Sequence, residues 1–155
     1  MSYFVKLLGS TDMPMANDTW GTRGDLDDQV RFAGRPKPDD VAVGDELVYY
    51  AVGGYKRVFA TARVESAPEE SDDHPNPVVA KRWPYASTVA VRPSTKLRYV
   101  SSGPELNDIS PGLLGNVGHG VGYFPISREQ FERAVQLLQR AKAEEDRKVK
   151  TGWKP

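Results

Sequence analysis

Residues 81–85 read "KRWPY", two cations followed by two aromatic rings that flank a proline. Lys81, Arg82, Trp83 and Tyr85 sit in a longer stretch, His74 to Pro104, that holds no acidic residue and also carries Arg92, Lys96 and Arg98. Cations meet phosphates, and aromatic rings stack on bases at about 1–3 kcal/mol each, so this mixture suits a nucleic-acid surface. The same pattern arises if Trp83 closes the end of a sheet and the basic residues are merely solvated. The residues alone leave both readings open.

Catalysis has less to work with. The chain holds 2 histidines, His74 and His119, and no cysteine, which excludes disulfides, thiolate zinc sites and cysteine nucleophiles. Nothing shows HExxH-like spacing, and no serine sits in a G-x-S-x-G elbow. Carboxylates are numerous but scattered, as solvated surface charge is. "GNVGHGVG" has glycines that let backbone N–H groups close around an anion, but it lacks the lysine of a Walker motif. His119 therefore reads as a loop residue beside a ligand site. Neither a metal nor a cofactor is expected.

These side chains need a scaffold. At 155 residues, 39% hydrophobic and 27% charged, the chain suits one domain with a real core. The formal net charge is zero, so attraction to a polyanion must come from charge distribution. With no secretory leader evident in MSYFVKLLGS, no long apolar run and no cysteine, a cytoplasmic protein without membrane spans is expected. Tyr3 to Leu8 reads as a buried strand, Asp25 to about Phe32 as a short helix, and residues 43–66 as a hairpin around Gly53-Gly54. Alternation sends Tyr49 and Tyr50 to opposite faces. Tyr49 is expected to pack in the core and Tyr50 to face the pocket, with the two exchanged if the strand boundary slips. Ser87 to Arg92 and Lys96 to Val100 read as a further strand pair, and Pro104 to Ile109 as one helical turn. Ser127 caps the clearest helix, with Gln130 as its capping-box partner and Phe131, Ala134, Val135, Leu138 and Ala141 on one face. The domain spans 1–142, and 143–155 reads as a charged, frayed tail. Many strands and few helices predict an α+β domain built on a curved or barrel-like sheet, with a C-terminal helix.

Taken in order, the motifs resemble the EVE domain of the PUA-like (YTH-related) superfamily. The resemblance rests on Tyr3-Phe4-Val5-Lys6, on Thr19, Trp20, Gly21 and Arg23 in "DTWGTR", and on Gly44, Asp45, Tyr49 and Tyr50. It continues at Trp83 before "TVAVRP" and ends at Pro125, Ile126, Ser127 and Phe131. It departs at Leu7-Leu8-Gly9, at Ala51-Val52 and at "GNVGHGVGY". The resemblance implies a small curved β-barrel with flanking helices, a C-terminal helix and a pocket on one side; related YTH and SRA-like domains hold a flipped, modified base in such a pocket, where aromatic walls replace lost stacking. Trp20, Trp83, Tyr85 and Tyr50 are then candidate walls, and Arg23, Lys6 and His119 candidate ligand contacts; Lys6 has an alternative role as a structural lysine at the barrel end. Lys81, Arg82, Arg92, Lys96 and Arg98 would track the nucleic-acid backbone. The expected function is a non-catalytic module that recognises a modified base in DNA or RNA. Two readings compete for the same pocket. One is an enzyme acting on a nucleotide or other small molecule, which needs a polar pair converging with His119. The other is an interaction domain with a peptide in an aromatic cleft.

Overall fold

The computed structural model describes residues 1–10, 18, 25–34, 37–119 and 122–153. Strands rich in aromatic and β-branched residues make the body: β1 (Tyr3–Leu8), β2 (Gln29–Phe32), β3 (Glu46–Ala51), β4 (Val58–Val64), β5 (Glu69–Glu70), β6 (Tyr85–Val91) and β7 (Tyr123–Ile126). Among the described residues they form one sheet in the order β2-β6-β4-β3-β1-β7, with β5 added beside β6. β1 and β3 run parallel and the other neighbours antiparallel. The parallel pair lies at the centre, where every residue of β3 is buried on both faces.

Cross-strand partners share a face. The register thus lines Phe4, Lys6 and Leu8 up with Leu47, Tyr49 and Ala51. That row continues through Ala60 and Ala62 to Val91, and through Val64 to Val89. Ser87 and Tyr85 follow along β6, opposite Val30 and Phe32 of β2. At the other edge Tyr123 pairs with Lys6. The sheet curls about this face into a half-barrel, and its two edge strands approach: the Phe32 and Tyr123 rings meet edge-on at 5.5 Å. Side chains, not backbone pairing, bridge the seam.

The opposite face is covered by α4 (Arg128–Lys150). Ser127 and Gln130 form the expected capping box. Phe131, Ala134 and Leu138 are buried, and the Phe131 ring lies 5.0 Å from that of Tyr3. The helix does not stop at Lys142. It runs on to Lys150 because Glu145, 2% exposed, accepts hydrogen bonds from the Arg98 and Tyr99 backbone N–H groups at 2.6 and 3.0 Å. The same contact explains why Lys96–Val100 is not the strand expected. Two N–H groups that would feed a ladder bind a carboxylate, and 3₁₀ turns at Pro93–Thr95 and Val100–Ser102 bracket the segment.

Other elements also differ from the sequence reading. The helix expected over Asp25–Phe32 is a single turn, α1 (Asp25–Asp28), that passes into β2. Pairing of Val30, Arg31 and Phe32 with Ser87, Ala86 and Tyr85 outweighs the helical pattern. The β3–β4 connection is longer than a two-glycine turn and places Lys56 as well as Gly53 at positive φ. α2 (Pro77–Arg82) and α3 (Leu106–Ile109) complete the helices, and the glycine-rich segment forms a 3₁₀ run, Leu113–His119. Gly103 is obligatory where the chain passes β4, since a Cβ there would lie 1.7 Å from the Val58 carbonyl oxygen. No helix among the described residues is long and apolar enough to cross a membrane.

Candidate functional site

Alternation along β1 points Phe4, Lys6 and Leu8 into the barrel, and the curl brings the edge strands around them. Lys6 is 2% exposed. Its Nζ donates to the Leu7 carbonyl at 2.7 Å and stands 5.0 Å from the centre of the Phe32 ring. Tyr123 packs edge-on against both Phe4 and Phe32 at 5.5 Å, and its hydroxyl donates to Asp40. Burial in this aromatic surround, with no carboxylate bonded to the amine among the described residues, lowers the Lys6 pKa to about 7. Burial, then the bond to Asp40, raises that of Tyr123. On the same face the Ser87 hydroxyl is buried without a hydrogen-bond partner among the described residues. Leaving such a group unpaired costs about 1–3 kcal/mol, so the barrel interior holds unused polar capacity.

Beside the seam lies a mixed aromatic and charged segment, in which Glu70 stands opposite Tyr85 and Asp72 and Asp73 act electrostatically on Arg31. Asn76 caps α2 through Val78 N–H, which sets Lys81 and Arg82 in its last turn. The Arg82 guanidinium lies 5.0 Å from the Trp83 ring. Arg31 of β2 fixes this turn, donating from Nε to the Trp83 carbonyl at 2.8 Å and from Nη2 to the Ser71 carbonyl. Tyr85 pairs with Phe32, and Lys37 approaches its ring at 5.9 Å. Lys81, Arg82, Trp83 and Tyr85 thus follow one another from the end of α2 into the start of β6.

Solved structures share this architecture. Human THYN1 protein, solved in complex with 5-methylcytosine containing DNA, matches with a TM-score of 0.53 at 12% identity, over 90% of this chain and 98% of that one. A Leishmania major hypothetical protein matches at 0.52 and 11% identity, over 90% and 96% of the two chains. A Pseudomonas putida protein matches at 0.51 and 19%, over 88% and 99%. The fold is the EVE/PUA-like fold. No protein-family profile and no curated protein matches the chain.

Within this EVE/PUA-like barrel the remaining predicted residues divide. Arg92, Lys96 and Arg98 lie beyond the far end of β6, whose 7 residues span about 20 Å. There they meet carboxylates: Arg92 with Glu46 at 3.0 Å, Lys96 with Asp27 at 2.8 Å and Arg98 with Asp146 at 3.7 Å. Arg92 and Glu46 also line a cleft of about 440 Å³ under the start of α4, together with Tyr3, Arg128 and Phe131. One continuous basic rim is thus not formed by the described residues. Tyr49 packs inward against Phe59 at 5.8 Å, whereas Tyr50 is buried on the opposite face, in register with Leu7. Trp20 and Arg23 lie outside the described residues, as does the side chain of His119.

Sequence reasoning passed over Phe4, Phe32, Tyr123, Asp40, Arg31 and Ser87. A signal existed for Phe4, which alternates with Lys6 along β1. Phe32 was hidden by the helical reading of its segment, and Tyr123 by the glycines before it.

Proposed function

We propose that this chain is a nucleic-acid-binding module that holds a modified nucleobase of DNA or RNA, without catalytic turnover, in an aromatic pocket beside a basic surface. The observation that carries the reading is the seam itself. The Phe32 ring lies beside the buried Lys6 amine, Tyr123 packs edge-on against Phe4 and Phe32, a serine hydroxyl without a hydrogen-bond partner among the described residues shares their face, and Arg82 lies against the Trp83 ring. An extruded base needs rings to replace its stacking and polar groups to read its edge, which is this combination. The likeness in fold to human THYN1, a protein solved with 5-methylcytosine containing DNA, supports the same reading. Trp20, Trp83 and Tyr85 serve as stacking walls, Arg23 and Lys6 as base-edge or phosphate donors, and Lys81 and Arg82 as backbone contacts. His119 borders the ligand. Tyr50 supports the pocket from behind.

The test is tryptophan fluorescence titration with short oligonucleotides that carry unmodified or methylated cytosine or adenine. One modified oligonucleotide should bind more tightly than its unmodified counterpart. Trp20→Ala should weaken it by about 1–3 kcal/mol and erode the preference. Equal, weak binding of every oligonucleotide would overturn the reading.

A further inference from the structure

The amine of Lys6 has an uncommon position. It lies inside the barrel, 5.0 Å from the Phe32 ring, with Tyr123 as its cross-strand partner and a backbone carbonyl as its hydrogen-bond acceptor. Buried lysines are ordinarily paired with a carboxylate; among the described residues none is bonded here. An amine attacks carbonyl carbon only when it is neutral, and desolvation beside aromatic rings is a recognised way to make lysine nucleophilic. We propose that Lys6 is a carbonyl-reactive amine that captures an aldehyde borne by nucleic acid as an imine inside the barrel. The substrate class rests on the nucleic-acid reading above; the reactivity of the amine does not.

The chemistry balances without a further reagent. The nitrogen lone pair forms a C–N bond to the aldehyde carbon, and the C=O π pair moves to oxygen, which takes the proton that nitrogen releases. The resulting carbinolamine then loses water: its C–O bond breaks, the nitrogen lone pair closes C=N, and the second N–H proton leaves with the hydroxyl. Amine and aldehyde become imine and water. With a pKa of about 7, about half of Lys6 is neutral at neutral pH, against about one in 3,000 for a solvated lysine. A formyl-pyrimidine and the sugar aldehyde of an abasic site present the same electrophile.

The full chain is incubated with cyanoborohydride and, separately, with oligonucleotides that carry 5-formylcytosine, an abasic site or unmodified cytosine, and with benzaldehyde as a small probe. Intact mass and peptide mapping locate the adducts. The expected result is a single adduct on Lys6 with the 5-formylcytosine oligonucleotide, at least tenfold above unmodified DNA. It should be lost in Lys6→Met, whose fold is checked by circular dichroism. Reaction at Lys6 with the abasic oligonucleotide alone supports imine capture and assigns the aldehyde to the sugar. Reaction with benzaldehyde alone keeps the reactive lysine and overturns the capture of an aldehyde borne by nucleic acid. Tight binding of the 5-formylcytosine oligonucleotide without an adduct overturns the imine and leaves that reading intact. Adducts spread over exposed lysines such as Lys81, and undiminished in Lys6→Met, overturn the proposal outright.

Discussion

Lys6 and Glu145 are equally buried, each 2% exposed, yet the fold treats them in opposite ways. Glu145 reaches from α4 to two backbone N–H groups at 2.6 and 3.0 Å, so its charge replaces water with fixed donors and ties the helix to the Lys96–Val100 segment. Lys6 has one carbonyl and a ring face, and its charged form is disfavoured. A buried charge with its full set of partners is a fastener. One held short of partners is an unspent reactive group, and proteins tend to keep such groups at functional sites. The contrast also separates the basic residues. Arg92 lies against a buried carboxylate, and a ring lies beside Arg82.

The largest effect should come from Lys6. The unfolded chain holds its proton up to about pH 10.5, the folded chain only up to about 7. Between those values the unfolded state binds more protons, so stability rises with pH across that window, and the penalty is fully present below pH 7. Lys6→Met should therefore stabilise the protein by up to about 5 kcal/mol at pH 6, with the gain shrinking towards pH 10. Urea unfolding of both proteins at pH 6 and 9 measures it. Equal gains at the two values would mean that a carboxylate partner keeps Lys6 charged, and the contrast with Glu145 would collapse.

Glu145→Ala should cost about 3 kcal/mol, because it leaves the Arg98 and Tyr99 N–H groups buried without an acceptor. Glu145→Gln, which keeps one acceptor oxygen, should recover part of the loss. Thermal melting should show both shifts, with helicity lost chiefly from the end of α4. A cost under about 0.5 kcal/mol, the usual range for surface substitutions, would place Glu145 with ordinary surface carboxylates.

The smallest effects sharpen the division among the cations. Arg92→Ala should destabilise by about 1–2 kcal/mol, since it strands Glu46, a carboxylate whose pKa burial already raises and Arg92 draws back. It should leave the salt dependence of oligonucleotide binding unchanged. Arg82→Ala should make the log–log salt slope shallower by about one contact. Binding titrations at several salt concentrations, paired with melting curves, separate the two. If Arg92→Ala flattens the slope instead, the basic stretch acts as one surface after all.

Elements whose signals are local were legible in the sequence. The capping box at Ser127 and Gln130, the apolar face of Phe131, Ala134 and Leu138, and the strand Tyr3–Leu8 need only neighbours within a turn or an alternation to declare themselves. So were the cluster "KRWPY", where adjacency guarantees proximity, and the ordered set of motifs that pointed to the EVE/PUA-like fold. Long-range partners decided the rest. Gln29–Phe32 is a strand because β6 offers it a ladder, Lys96–Val100 is not one because Glu145 takes its N–H groups, and the helix outruns Lys142 for the same reason. The candidate pocket belongs wholly to this second kind. Phe4, Lys6, Phe32, Ser87 and Tyr123 are scattered along the chain, and only the curl of the sheet, which sums small strand twists until the edges β2 and β7 approach, brings them to one interior. Composition and spacing determined which aromatic and cationic side chains exist; the curl of the sheet decided which of them are buried together.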